Sequence, residues 1–269
     1  MSILPTAADA VKKQIQDFVI LMYGPPKIGK TEFCSQIKDA LFLSTEPGTV
    51  ALGCSTVEIG SYSDWKMTIE ALSGGEPHKF KAIVIDTVDL LFPMYCRQLA
   101  TELGVSDVGD NSLYGMGWRE LKDRWAVDLS SLRTIRNDDG EKLLIVFISH
   151  ERTSPIVERR GSKEVDTGRT YTTSDLPPAG RKILHSAVDF ILRAEFNEDG
   201  ERVIRTQPGT TPTGEIFAGC RGRRDRPIRS GFPLEWTEFL TAFDEVFSTE
   251  QKPTVTPPPR PAKKRSTKR

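Results

Sequence analysis

Four short apolar runs punctuate the first 150 residues of the chain: DFVILMYG at 17–24, ALFLST at 40–45, KAIVID at 81–86 and KLLIVFIS at 142–149. Each is short and bounded by Gly, Pro or charge, so each predicts a buried strand. Helical patterns fill the gaps. GPPKIGKTEF is a turn that opens a helix, and residues 63–73 place Trp65, Ile69 and Leu72 on one face before Gly74 and Gly75 stop them. Residues 87–103 predict an apolar helix interrupted at Pro93, and 114–136 a longer amphipathic one. Strands alternating with helices predict an α/β fold, with a mostly parallel central sheet covered by helices on both faces. Its first two strands form a right-handed βαβ crossover.

The pattern changes at His150. Residues 151–178 carry charge, Thr, Ser and Gly without apolar periodicity, which predicts a long functional or mobile loop. Runs at 188–196 and 202–206 predict a late antiparallel hairpin turning at Asn197-Glu198-Asp199-Gly200. A closing helix at 234–247 turns Leu234, Phe239, Leu240, Phe243 and Val246 inward. Residues 1–16 are a polar N-terminal extension, helical from 7 to 16, and 249–269 form a basic, Pro-rich tail expected to be disordered. One domain, 17–248, lies between them.

Composition narrows the class. A 38% hydrophobic content over 269 residues is enough for a real core and excludes a wholly disordered chain. Cys34, Cys54, Cys96 and Cys220 are far apart and form no Cys-x-x-Cys pair, which fits reduced thiols in a cytoplasm. No apolar run reaches membrane-spanning length, and the start, MSILPTAADAVKK, lacks the apolar core of a signal peptide. The expectation is a soluble cytoplasmic protein that does not meet a membrane. The 37 basic and 37 acidic residues cancel, yet residues 250–269 hold seven Lys/Arg against Glu250, leaving 30 basic and 36 acidic residues before them. An acidic body therefore carries a basic tail.

The candidate chemistry starts at Gly24-Pro25-Pro26-Lys27-Ile28-Gly29-Lys30-Thr31, a complete G-x-x-x-x-G-K-[ST] phosphate loop between a predicted strand and a predicted helix. Glycines there let backbone N–H groups curl around a phosphate, Lys30 reaches the β- and γ-phosphates of ATP, and the Thr31 hydroxyl ligates Mg²⁺. Asp86 ends KAIVID, where a second Mg²⁺-coordinating acid on an adjacent strand belongs; the same position suits a helix N-cap. Asp89, three residues on, reads as a first-turn helix acid. Glu46 lies just past a strand's carboxyl end, where open α/β sheets bind ligands and a carboxylate can activate water. Taken by itself it is equally a surface turn acid.

These elements, carried by GPPKIGKTEF, FLSTEPG, AIVIDTVDLL, SLYGMGWRELKDRW and LLIVFISHE, resemble the RecA-like recombinase core. More closely, the chain is similar to the small RecA-like P-loop ATPases of bacteriophages and prophages, some of which are single-strand annealing proteins. That resemblance implies a RecA-like P-loop NTPase fold and Mg²⁺-dependent ATP hydrolysis with Glu46 as catalytic base. It also implies that His150 is the γ-phosphate sensor at the end of the fourth strand, where RecA itself has Gln. An imidazole adds a pH sensitivity that an amide lacks.

Residues 151–182, with Arg152, Arg159, Arg160, Lys163, Arg169, Arg181 and Lys182 against five acids, would then be the loop that meets single-stranded DNA, with Tyr171 available for stacking. Arg221 and Arg223 would reach the γ-phosphate of a neighbouring subunit in a ring or filament; by themselves they are a basic, solvent-facing turn. The tail would tether DNA or dock a single-stranded-DNA-binding protein. ATP is favoured over GTP by the resemblance, and no N-K-x-D tetrapeptide is present. The function implied is strand annealing or homologous recombination in a phage or prophage, in a bacterial cytoplasm. Two other readings share the phosphate loop: a nucleotide switch or motor of replication or packaging that does not touch DNA, and a small-metabolite kinase, for which no arginine-rich lid is evident.

Overall fold

A computed structural model describes residues 14–46, 52–160, 163–207, 209–210, 216–220 and 228–247. Residues 7–13 of the predicted N-terminal helix, Arg221, Arg223 and the tail lie outside the described residues. A 3-10 turn at Ile15–Asp17 leads into β1 (Val19–Gly24), buried at every position. Val19, Leu21 and Tyr23 enter one core and Ile20 and Met22 another, which is why the run is apolar throughout instead of alternating. α1 (Lys30–Ser35), the buried β2 (Ala40–Ser44) and the half-exposed β3 (Ser55–Glu58) follow. The Ser61 hydroxyl accepts from the Asp64 N–H at 3.1 Å and caps α2 (Tyr62–Glu70), which ends in a π turn, Ala71–Gly75.

β4 (Ala82–Asp86), α3 (Val88–Leu103), α4 (Met116–Leu132) and β5 (Leu144–Arg160) continue the chain. β6 (Lys163–Ser174), α5 (Pro178–Ala187), β7 (Phe190–Phe196) and β8 (Arg202–Arg205) come next. Short strands β9 (Gly209–Thr210), β10 (Ile216–Cys220) and β11 (Phe232–Pro233) precede α6 (Trp236–Phe247).

The main sheet runs β11-β8-β7-β1-β5-β4-β2-β3, and every pair from β7 to β3 is parallel. β8 and β10 pair antiparallel with β7, which supplies the late hairpin. α2 to α5 cover one face, where Trp65, Phe92, Tyr95 and Trp125 are fully buried; Trp125 meets the rings of Tyr95 and Phe92 edge-on at 4.9 and 5.3 Å. On the other face α1 and α6 bury Phe33, Phe239 and Phe243. Each such side chain contributes about 1.5–3 kcal/mol by leaving water. The fold is thus the expected α/β architecture, a mostly parallel central sheet covered by helices on both faces with a late antiparallel hairpin.

Three expectations are corrected. First, residues 151–178 are not a structureless loop: β5 continues past Ser149 and pairs antiparallel with β6 from Glu151↔Ser174 to Arg160↔Lys163. Thr153, Val157, Val165, Thr167, Thr170 and Thr172 favour strand by β-branching, and a two-stranded ribbon has no core to impose apolar alternation. Second, α3 runs through Pro93 without interruption. Third, Asp86 does not stand on the strand next to β1, because β5 lies between β1 and β4. β3, α5 and β9 to β11 are elements the hydropathy pattern does not show; α5 does carry a helix-start signal, proline at its first positions.

Candidate nucleotide site

The carboxyl ends of β1, β5, β4 and β2 converge on one edge of the sheet, with Gly24 paired to His150, and Asp86 paired to both Ile148 and Ser44. β1 approaches β7 so closely at Gly24 that a Cβ there would lie 2.4 Å from the Ala194 carbonyl oxygen. Gly29 takes φ +108°, in the left-handed region glycine favours, and starts α1. Lys27 is exposed. Lys30 is buried and its Nζ donates to the carbonyls of Gly24 at 2.9 Å and Pro25 at 2.8 Å. Burial lowers the pKa of its ammonium, opposed by the carboxylates of Asp89 and Asp86.

The Thr31 hydroxyl donates to Asp86 Oδ2 at 2.9 Å, so the two groups expected to share Mg²⁺ are already adjacent. Burial pushes the Asp86 carboxyl above its ordinary value, opposed by that hydrogen bond. A hydroxyl and a carboxylate are hard oxygen donors, and Mg²⁺ commonly takes one or two such protein ligands, completing its shell with water and phosphate. The residues fit the ion.

Next to them, the Thr45 N–H donates to the Asp86 carbonyl at 2.7 Å, and the Thr87 N–H donates to Thr45 Oγ1 at 2.8 Å. These bonds tie β2 to β4 and fix the backbone that carries Glu46. Glu46 accepts from the Thr87 hydroxyl at 3.3 Å and lies 3.8 Å from His150 Nδ1. His150 Nδ1 is 2.8 Å from Asp89 Oδ2, and the His150 N–H donates to the same carboxylate at 3.2 and 3.3 Å. Thus Lys30, Thr31, Glu46, Asp86 and His150 all come together.

Asp89, Thr45 and Thr87 join them although the sequence pattern assigned them no place in the site. Arg202 on β8 also reaches the loop, donating to the Ile28 carbonyl at 3.3 Å and to Glu32 at 2.9 Å. Arg193 on β7 pairs with Glu195 at 3.2 Å and Glu151 at 3.5 Å. Both arginines come from β-strands far along the chain, so local spacing carries no sign of them.

A phosphate loop at the carboxyl edge of a parallel sheet, with an acid two strands away bonded to the loop threonine, is the arrangement of a P-loop NTPase. Residues 16–215 match the AAA domain family. The chain belongs to that family. Over 216 residues it is 24% identical to the SPbeta prophage-derived protein YorG of Bacillus subtilis (strain 168), covering 78% of this chain and 61% of YorG. The chain therefore spans about three-fifths of that relative's length. A solved structure of the RadB recombinase matches at 14% identity with a TM-score of 0.42, covering 80% of this chain and 84% of RadB.

Other features of this AAA domain lie apart from the site. A cavity of about 600 Å³ between Leu41, Val57, Met67, His78 and Phe80 opens where β2 and β4 begin, at the opposite end of these strands from the phosphate loop. In the expected DNA-binding segment, Arg152 and Arg169 are exposed, but Arg181 is buried and donates to Thr173 Oγ1, Ser174 O and Leu176 O. It braces the foot of β6 and is corrected from a DNA-binding residue to a structural one. Among the described residues no helix is long and apolar enough to cross a membrane.

Proposed function

We propose that this AAA domain is a Mg²⁺-dependent ATPase of a phage or prophage that binds single-stranded DNA, works in the bacterial cytoplasm and promotes strand annealing or recombination. Lys30 and the loop from Gly24 to Thr31 hold the phosphates, Thr31 and Asp86 hold Mg²⁺, Glu46 orients and deprotonates the attacking water, and His150 contacts the terminal phosphate. Mg²⁺, when bound, neutralises charge on the phosphates. The observation that carries the DNA reading is continuity: the strand that puts His150 beside Gly24 runs on unbroken into the β5–β6 ribbon, and the Asp175 N–H at the ribbon's foot donates to the His150 carbonyl at 2.9 Å. Ten residues of strand extend the ribbon roughly 30 Å from the site. Self-association into a ring or filament, with Arg221 and Arg223 acting on a neighbour, and docking of a single-stranded-DNA-binding protein by the tail belong to the same proposal.

The test is the ATPase rate with and without single-stranded DNA. Stimulation of several-fold, lost at high salt, is the expected result. The ribbon's basic residues are nearly balanced by Glu151, Glu158, Glu164 and Asp166, and this favours a second reading, a nucleotide switch whose ribbon meets a protein. A rate indifferent to DNA selects it.

A further inference from the structure

Asp89 is set in the first turn of α3, nearly excluded from water, with its carboxylate turned to a single residue of β5. It accepts from both the side chain and the backbone N–H of His150, while the His150 carbonyl accepts from Asp175. The imidazole is therefore fixed between α3 and the foot of the ribbon. Hydrogen-bond inventory then constrains what it can do. A carboxylate accepts only, so Nδ1 must be the donor in this pair; in a neutral imidazole that leaves Nε2 with a lone pair, which repels a phosphate oxygen. An amide at this place donates whatever the pH, whereas this ring donates through Nε2 only when both nitrogens carry protons.

We infer that Asp89 is the positioning residue of the site, taking the Nδ1 proton of His150 so that the ring engages a terminal-phosphate oxygen only as an imidazolium. The inference rests on the reading of His150 as the phosphate-facing residue. The charged groups around the ring are Asp89 on α3, Glu46 beyond β2, Lys30 at the start of α1 and Asp86 at the end of β4. The hydrogen bond to Asp89 raises the imidazole above its ordinary value against burial, which lowers it; Asp89's charge and Glu46 add to the rise and Lys30 opposes it. The sign follows. A raised pKa keeps the pair fully formed below the ordinary imidazole value of about 6.5 and loses it as pH climbs through the raised one. Nucleotide-dependent signalling to the ribbon should therefore persist to a higher pH than an ordinary imidazole would allow and fade as pH climbs through the raised value.

The chain has three histidines, His78, His150 and His185, so NMR of ¹⁵N-imidazole-labelled protein can follow each ring without nucleotide. The His150 midpoint should lie above about 6.5, fall by about one pH unit in Asp89→Asn, and recover in Asp89→Glu. A non-hydrolysable ATP analogue with Mg²⁺ should raise the midpoint in the parent protein. In ATPase assays the alkaline loss of turnover should move down in Asp89→Asn by the same amount and flatten in His150→Gln, where adding Asp89→Asn has little further effect. A parent midpoint at or below the ordinary value, or one unmoved by Asp89→Asn, overturns the role of Asp89. A midpoint that answers to Asp89 but not to the nucleotide analogue overturns the phosphate-facing reading of His150, and the proposed role goes with it.

Discussion

Lys30 is held by two neutral carbonyls, and a nucleotide must draw the ammonium away from them. Phosphate oxygens offer charge-assisted bonds roughly twice as strong as neutral ones, so the exchange is favourable. Lys30→Ala is expected to abolish hydrolysis and most nucleotide binding, as measured by phosphate release and calorimetry; parental turnover would sink the assignment. Glu46→Gln keeps the size and most hydrogen bonding of the side chain but loses the base. Binding should persist while turnover drops by roughly 10²-fold or more, and equal losses of both would make Glu46 structural. Gly24→Ala tests the close approach of β1 to β7. Its Cβ would press on the Ala194 carbonyl, and forcing an extra carbon into so tight a space costs about 1–3 kcal/mol, seen as a lower Tm. An unchanged Tm would mean that β7 yields at this point. The phosphate loop and Asp86 are legible in the sequence because each is defined by local spacing at a strand end. Asp89 is not, because its partner lies 61 residues away and nothing nearby in the chain distinguishes it from a helix-start acid.

The elements show the same division. β1, β2, β4 and the first half of β5 are buried on both faces, so their apolar runs mark them, and the helices between them carry stripes that reach one core or the other. The ribbon obeys a different rule. Its strands are held by backbone pairing and β-branched side chains, so apolar periodicity misses it. The edge strand β3 and the two-residue strands β9 and β11 are too short or too exposed to leave a pattern. Because β6 pairs only with β5 among the described strands, the ribbon should be separable from the domain. Replacing residues 156–169 by Asn-Gly closes it at the Pro155–Thr170 pair, with a turn suited to a two-residue hairpin loop. Nucleotide binding and Tm should change little, whereas affinity for single-stranded DNA should fall and its salt dependence flatten by about one unit for each phosphate that is no longer neutralised. Retention of full DNA affinity would place the DNA-binding surface elsewhere. Arg181→Ala should behave in the opposite way, costing stability first, because it leaves the buried acceptors at Thr173 and Leu176 without their donor.

At the scale of the whole molecule the decisive question is how many cations surround the terminal phosphate. Phosphoryl transfer develops charge on the γ-phosphoryl oxygens, and catalysis depends on preorganised positive groups aimed at it. Among the described residues Lys30 and, when protonated, His150 are in place, whereas Arg202 is paired with Glu32 and Arg193 with Glu151 and Glu195. Arg221 and Arg223 follow β10, whose last residue, Cys220, pairs with Phe190, itself paired with Ile20. Ile20 precedes Gly24 by four residues of strand, about 13 Å. Under the proposed assembly, Arg221 and Arg223 supply the missing positive charge to the site of a neighbouring subunit. Turnover per subunit should accordingly rise with protein concentration. Arg221→Ala and Arg223→Ala should leave nucleotide binding by isolated subunits nearly intact while lowering turnover in the assembly. Mixing either with Glu46→Gln should restore part of the activity, since some interfaces then combine an intact Glu46 with intact arginines. A specific activity that does not vary with concentration, together with no recovery in the mixture, would mean that each subunit completes its own site and that these arginines serve another purpose.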